Sequence, residues 1–561
     1  MGVDDIYAWK ERHSRNFNFI MSTQGTQLYQ SSLPRRQVIA AMGGAMLSML
    51  LGSMSMTITS TAMPRIITDL GGFAQYTWVF TSYIITETVA LPLTGKLSDM
   101  YGRKWFLVAG MGIFVLGSFL SGISQSMTQL IIFRGLQGIG FGAMSALSFI
   151  IIADIFAPED RGKYSGLMAS VMGFSTIIGP TLGGYLTDAL SWRWCFFIIV
   201  PVGVIIIGFF IFMFPRLQIN EEKHRVDYSG VVVLSLAVTS LVLAMNWGGA
   251  DYAWTSPVIL GLFGFMAVMF AVFILVEKRA EEPIIPMDLF RNRVVVVSSV
   301  VSFFMGASFF PVVSFVPLYF QGVLGASATQ SGGFVTPMML SSSIASVICG
   351  QLLSRMGGRY RLLSSLGFII AAVGYLLLSR MTTGTSYGTA IFNIILIGFG
   401  MGLVFPVHVL AVQNTVSYTI MGTATSVITL LRPLGGVLGL ALVGSILNNT
   451  FASSFLRNLP EGVKAVISPA QLAGIVDNPQ ILINPEARTR LDQIFKAVGP
   501  QGQELFDQTI STLQSALSTA LTQVFAAFLI IAVLAIITNF FLKGIPPPQS
   551  RKAGPAPSPE K

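Results

Sequence analysis

The chain is 561 residues long, 53% hydrophobic and only 11% charged. A water-soluble domain carries roughly 25% charged residues, so composition excludes an ordinary soluble fold. The net charge of +9 does not point to a nucleic-acid partner, because the Lys and Arg residues are scattered in small groups between apolar runs rather than gathered on one face.

Residues 1–37 hold Asp4, Asp5 and Glu11 and have no apolar core before Val38. They read as a cytosolic tail without a cleavable signal peptide, the first span serving as the membrane address. Runs long enough to cross a bilayer, about 20 apolar residues each, follow at approximately 38–62, 76–97, 104–124, 128–154, 161–188, 192–214, 227–246, 257–276, 294–320, 331–354, 361–379, 386–412, 419–447 and 521–543. The expected fold is therefore all-α and integral to a membrane, with about fourteen transmembrane helices. Cys195 and Cys349 fall in or beside these runs and read as packing residues.

Basic residues set the expected orientation. Lys96, Arg103, Lys104, Arg161, Lys163, Lys278, Arg279, Arg355, Arg359 and Arg361 cluster in segments on one side, whereas the short loops of the other side hold only Arg65, Arg193 and Arg380. The first side is expected to be cytosolic, with both termini there. A decapeptide after span 2, Gly95-Lys-Leu-Ser-Asp-Met-Tyr-Gly102-Arg-Lys, is echoed after span 10 by Gly350-Gln-Leu-Leu-Ser-Arg-Met-Gly357-Gly-Arg. That echo requires two inserted spans between two six-helix units, a 6+2+6 plan. Its expected domains are a six-helix bundle at 38–214, a linker with two extra helices at 215–293, and a second bundle at 294–543 followed by a cytosolic tail at 544–561. The second bundle includes a long outer segment, 448–520, with helix-compatible stretches at Arg488–Lys496 and Glu504–Leu517.

Ionisable groups within the spans need an explanation, since each costs several kcal/mol at the membrane centre. Glu87 lies near the middle of span 2, with Tyr83 and Thr94 on its helical face and Thr86 beside it. A carboxyl that binds either a proton or a cation suits coupled transport. Arg134 in span 4 keeps its charge. His408 titrates near neutral pH and is a further candidate to relay protons. In span 5, Ser175, Gly179 and Gly183 share one face and allow close helix contact, while Pro180 invites a kink. Span 1 carries Met42, Met46, Met49, Met54, Met56 and Met63, with Ser48, Gly52, Ser55 and Thr59 forming a small polar face. Span 9 carries Phe303, Phe304, Phe309, Phe310, Phe315 and Tyr319. Thioethers and aromatic rings suit varied lipophilic cations.

Gly95-x-Leu97-x-Asp99-x-x-Gly102-Arg103-Lys104 resembles the hallmark loop of the major facilitator superfamily. Leu130-x-x-x-Arg134-x-x-Gln137-Gly138-x-Gly140 is similar to its intramembrane arginine motif. Ser175-x-x-x-Gly179-Pro180-x-x-Gly183-Gly184 is similar to the antiporter motif of drug exporters, with Ser175 where Gly is usual. The fourteen-span plan narrows the resemblance to drug:proton antiporters of the QacA and EmrB type. Trp78–Leu97, Pro317–Gln321, Gly402–Pro406, Gln413-Asn414 and Arg432–Gly436 extend the match over residues 38–447. The resemblance implies a cytosolic gate of Asp99, Arg103 and Asp154, and makes Arg432 a counterpart of Arg134 in the second bundle. Ser55, Thr59, Tyr83, Gln137 and Arg432 are cavity candidates. Relatives often carry an acid at the position of Ser55, so coupling at that site does not transfer.

The function expected is proton-coupled efflux of amphipathic or cationic drugs by alternating access at the plasma membrane, with protons and membrane lipid as partners. The closest alternative is the same fold carrying one dedicated metabolite. A membrane-embedded enzyme is disfavoured because the three histidines, His13, His224 and His408, form no catalytic constellation. An ATP-driven permease would need a phosphate-binding GxxxxGK[ST] loop, and the sequence has none. Nothing implies a cofactor or a metal.

Overall fold

The computed structural model describes residues 34–71, 75–156, 158–214, 227–249, 252–281, 283–326, 328–355, 359–417, 420–466, 472, 482, 485–496 and 501–542. The expected terminal tails, His13, His224 and Gly357 lie outside the described residues.

The described chain is helical, with no named strand. In order the helices are α1 (Arg35–Leu70), α2 (Tyr76–Tyr101), α3 (Arg103–Gly122), α4 (Met127–Ile155), α5 (Pro158–Ala189), α6 (Trp194–Met213) and α7 (Tyr228–Trp247). There follow α8 (Pro257–Glu277), α9 (Arg293–Gly322), α10 (Ala328–Arg355), α11 (Tyr360–Leu378), α12 (Tyr387–Gln413), α13 (Met421–Asn458), α14 (Glu461–Val466), α15 (Pro485–Lys496) and α16 (Gly502–Phe540). Among the described residues, 13 helices are long and apolar enough to cross a membrane. The expected fourteenth, α2, has 26 residues but falls short in apolarity, because Thr81, Ser82, Thr86, Glu87 and Thr88 interrupt it. Its polar groups are tolerable in a bilayer because neighbouring helices cover them. It packs along α4 and reaches α7 and α13.

Close helix approach is achieved by glycine, as apolar solvent supplies no hydrophobic drive between helices and packing must do so. A side chain at Gly138 or Gly142 of α4 would run into the α2 backbone at Tyr83 and Glu87, and one at Gly140 into α3 at Gly110 and Phe114. The intramembrane motif thus seats α4 between α2 and α3.

The two bundles meet through helix pairs that respect the internal repeat. Gly95 of α2, the second helix of the first bundle, lies against Gly422 and Ser426 of α13, the fifth of the second. Gly350 of α10, the second helix of the second bundle, lies against Gly162 and Gly166 of α5, the fifth of the first. The echoed glycines mark these two crossings, at the end of the molecule that carries the α2–α3 loop, here called the basic end. The inserted pair α7–α8 joins α2, where the Thr81 hydroxyl donates to Asn246 Oδ1 at 3.2 Å and Trp78 meets Trp247 edge-on at 5.6 Å. Much of α8 is exposed apolar surface, including Leu260, Val268, Phe270 and Leu275, as suits a lipid-facing helix.

At the far end, α13 and α16 run well past the expected spans. They contain 38 and 39 residues, about 57 Å at about 1.5 Å per residue, against a hydrocarbon core of about 30 Å. The segment 448–520 is therefore partly a continuation of two spans. Phe451, Phe455, Leu459, Val463, Leu491 and Phe495 are buried there with Phe506 and Leu513, so apolar packing carries both helices past the expected run ends. Lys496 closes α15 with an ion pair to Asp492 at 2.6 Å.

Candidate functional site

The interior of the first bundle holds a buried charged cluster. Arg134 on α4 is fully buried, and its Nη1 donates to Ser55 Oγ at 3.0 Å and to Gln137 Oε1 at 2.6 Å. Its guanidinium carbon stands 4.2 Å from the centre of the Tyr83 ring. Tyr83 in turn donates to the Gly52 carbonyl at 3.2 Å and stacks on Phe141. Three helices therefore fix one cation, with Ser55 from α1, Tyr83 from α2 and Gln137 from α4. Arg134 Nε and Nη2 and Gln137 Nε2 remain buried without a partner. Unmade hydrogen bonds at a buried charge are costly, and these donors are open to an acceptor.

Glu87, one turn along α2 from Tyr83, is the adjacent acid. It is half-buried, lies within electrostatic range of Arg134, and no hydrogen bond holds its carboxyl among the described residues. Of its expected neighbours, Tyr83 and Thr94 are buried, and Thr86 bonds back to Ser82. Thr59 is buried and bonds back to the Ser55 carbonyl at 2.6 Å, which leaves the Ser55 hydroxyl to Arg134. On α1, Ser53, Met56 and Thr57 are half-buried and Ser60 is exposed. The methionine wall is thinner than the sequence suggests. Met42, Met49, Met54 and Met63 are packed into the core, as are Phe309, Phe315 and Tyr319, while Phe310 remains exposed.

The second bundle is organised differently. His408 on α12 is fully buried between two serines, with Nε2 at 2.8 Å from Ser364 Oγ and Nδ1 at 3.3 Å from Ser298 Oγ. Both ring nitrogens are thus occupied by hydroxyls of α11 and α9. Arg432 on α13 is buried over the Phe405 ring, 4.7 Å from its centre.

The antiporter-like motif of α5 is a packing device against α1. Gly179 and Gly183 leave room for Thr57, Ile58 and Thr61, and Thr57 donates to the Ser175 carbonyl at 3.4 Å. Ser175 caps this face with a bond to Met172 O. Pro180 lies inside the helix, and Gly184 faces open space, off the contact.

At the basic end the three residues expected to form a gate meet and are buried. Arg103 donates to Asp154 Oδ2 at 3.0 Å, to Ser98 Oγ at 2.8 Å, and pairs with Asp99. Asp99 does more than the sequence foretells: its Oδ2 accepts the Thr423 backbone N–H at 3.0 Å. Thr423 is in the first turn of α13, so the carboxylate faces the positive end of that helix dipole. A second crossing was not foreseen. Arg161 donates to Ala153 O and Phe156 O at the end of α4 and to Asn414 Oδ1 across the interface at 3.0 Å. Asn414 in turn donates to the Tyr360 hydroxyl at 2.6 Å, and Gln413 to Phe149 O at 3.1 Å. The basic charge of Arg161 and the amide pair Gln413-Asn414 were visible in sequence, but their meeting across 253 positions was not.

The Major Facilitator Superfamily profile matches residues 45–440. The chain belongs to the major facilitator superfamily. Within that superfamily it is 37% identical over 516 residues to the Multidrug transporter protein MdtP of Bacillus subtilis (strain 168), covering 90% of this chain and 92% of that one. It is 38% identical over 499 residues to Multidrug resistance protein 3 of the same organism, covering 89% and 94%. Solved facilitator structures share the fold at low identity. The human organic anion transporter MFSD10 has a TM-score of 0.57 at 14% identity, covering 89% of this chain and 100% of that one. The proton:xylose symporter XylE has a TM-score of 0.56 at 13% identity, covering 91% and 97%. The facilitator fold makes this a multi-pass membrane protein.

Proposed function

We propose that the protein is a proton-coupled exporter of amphipathic, including cationic, compounds that works by alternating access in the plasma membrane. The basic end is then cytosolic and both termini lie in the cytosol. The observation that carries this reading is the pair of Glu87 and Arg134. It combines a half-buried carboxyl that has no hydrogen bond among the described residues with a buried cation whose donors are partly free, on helices that also reach the second bundle. A proton or a cationic substrate neutralises Glu87, and deprotonated Glu87 is held by Arg134. The two occupancies exclude each other, which is the condition for exchange. Meanwhile the Asp99–Thr423 contact, its carboxylate fixed by Arg103 and Asp154, and the Arg161–Asn414 bridge hold the cytosolic ends of the bundles together. The similarity to named multidrug transporters supports drug-like substrates over a single metabolite.

The test is transport by purified protein in liposomes with an imposed pH gradient and no nucleotide. Uphill movement of a lipophilic cation, abolished by collapsing the gradient, is expected. Movement that requires ATP, or that ignores the gradient, would reject proton coupling.

A further inference from the structure

Arg432 is a charge without a counter-charge. It is 5% exposed, makes no hydrogen bond or ion pair with the described residues, and its Nε is buried and unpartnered. The second bundle has nothing to offer it, because the chain contains no Asp or Glu between Asp288 and Glu461, nor in α16 beyond Asp507. In the first bundle the mid-membrane acid, Glu87, acts on Arg134. Arginine does not escape by losing its proton, and an unpaired cation in this setting is expensive enough to need a purpose. Its guanidinium carbon lies 4.7 Å from the centre of the Phe405 ring, which leaves its N–H donors open to an acceptor. Phe309 meets Phe405 edge-on at 5.5 Å, and exposed Phe310 closes against Gly436, one turn beyond Arg432.

We propose that Arg432 is the anion-recognising group of the second bundle, taking the carboxylate of an aromatic amphipath whose ring system packs on Phe309, Phe310 and Phe405. This rests on the transporter reading and narrows it. The two bundles then recognise opposite charges, Glu87 a cationic group and Arg432 an anionic one, so zwitterionic aromatic compounds engage both. The guanidinium is suited to bidentate carboxylate binding, and its aromatic support keeps it in place when empty.

The experiment compares an aromatic carboxylate dye with its methyl ester, binding each to purified detergent-solubilised protein and measuring fluorescence anisotropy. Wild type should prefer the carboxylate, and Arg432→Gln should shift the ratio of the two dissociation constants by about tenfold. Arg432→Lys keeps the charge but not the bidentate fork and should keep only part of the preference, and Arg380→Gln, at an exposed arginine, should leave the ratio as in wild type. Melting of ligand-free protein adds an independent readout. Arg432→Gln removes an uncompensated charge and should raise the melting temperature, whereas loss of a structural partner would lower it. An unchanged ratio in Arg432→Gln, a lowered melting temperature, or no carboxylate preference in wild type overturns the proposal. Chloride replacement by gluconate separates a small inorganic anion from the dye. If chloride raises the melting temperature through Arg432 while the dye carboxylate gives no preference, the substrate role is rejected. Gradient-driven export of a neutral amphipath by wild type tests the transporter reading separately, since it does not require an anionic group.

Discussion

At the scale of single residues, the chemistry turns on which acids and bases have partners. Glu87 was recognisable in sequence because a lone carboxyl inside an apolar run is unusual. Its proximity to Arg134 was not, since α2 and α4 are joined only through the folded bundle. Glu87→Gln keeps the shape but cannot exchange a proton. It should retain binding of neutral amphipaths and lose gradient-driven accumulation in liposomes; wild-type uphill transport by this variant would place the coupling group elsewhere. His408 is the less suitable alternative, because Ser298 and Ser364 already occupy both nitrogens. Ser55 adds a second test. It stands where relatives often carry an acid, and it accepts directly from Arg134. Placing a carboxyl there with Ser55→Asp on the Glu87→Gln background should restore part of the gradient-driven flux. No recovery, with normal insertion in the membrane, would count against Arg134 as the shared counter-charge.

At the scale of elements, small residues decide how near helices come. The four-residue spacing of Ser175, Gly179 and Gly183 correctly announced one contact face, and its partner is α1. A spacing pattern identifies a face but not the neighbour, because any helix surface can fill the groove. The role of Gly138 and Gly142 in seating α2 was likewise not assignable from the intramembrane motif alone. Gly142→Leu drives a side chain into the Glu87 carbonyl, and overpacking of this kind costs about 1–3 kcal/mol. Its melting temperature should fall, whereas Gly184→Leu, which meets open space, should stay near wild type. Equal losses in both would mean that Gly142 acts through something other than helix contact. The terminal helices teach a different lesson. Hydropathy ended spans 13 and 14 where the apolar run ended, but the hydrogen-bonded ladder continues wherever packing supports it, as Phe451 and Phe455 show.

At the scale of the whole molecule, the bundles are latched at the cytosolic end of the proposed orientation. An ion pair at a surface contributes about 0–1 kcal/mol, which would make a weak latch. Here Arg103 is 5% exposed and Asp154 fully buried, and this buried pair inside the first bundle fixes Asp99, whose Oδ2 makes the contact that crosses to the Thr423 N–H. Asp99→Asn also weakens the contact with the start of α13. In this variant a cysteine placed at Thr425, which is buried, should react severalfold faster with a thiol reagent from the cytosolic side. An unchanged rate would remove the latch role. Orientation itself is testable in a cysteine-free background. Cysteine at Gly384 should label from outside, and cysteine at exposed Arg279 only from the cytosol; labelling of Arg279→Cys from outside would invert the proposed topology.

Composition and the recurrence of long apolar runs determined that the chain crosses a membrane many times, since burial of backbone groups in hydrocarbon admits few other solutions. The spacing Gly95 to Gly102 and its echo from Gly350 announced two related bundles with an inserted pair. These are local properties, readable because helix period and hydrophobicity are written in neighbouring residues. Partnership was decided only in three dimensions. Arg134 found Ser55, Gln137 and the Tyr83 ring, Arg161 found Asn414, Asp99 found Thr423, and Arg432 found an aromatic ring and no counter-charge among the described residues. Such pairings depend on which helices lie side by side and at what depth, and that is set by packing across the whole molecule rather than by any stretch of it.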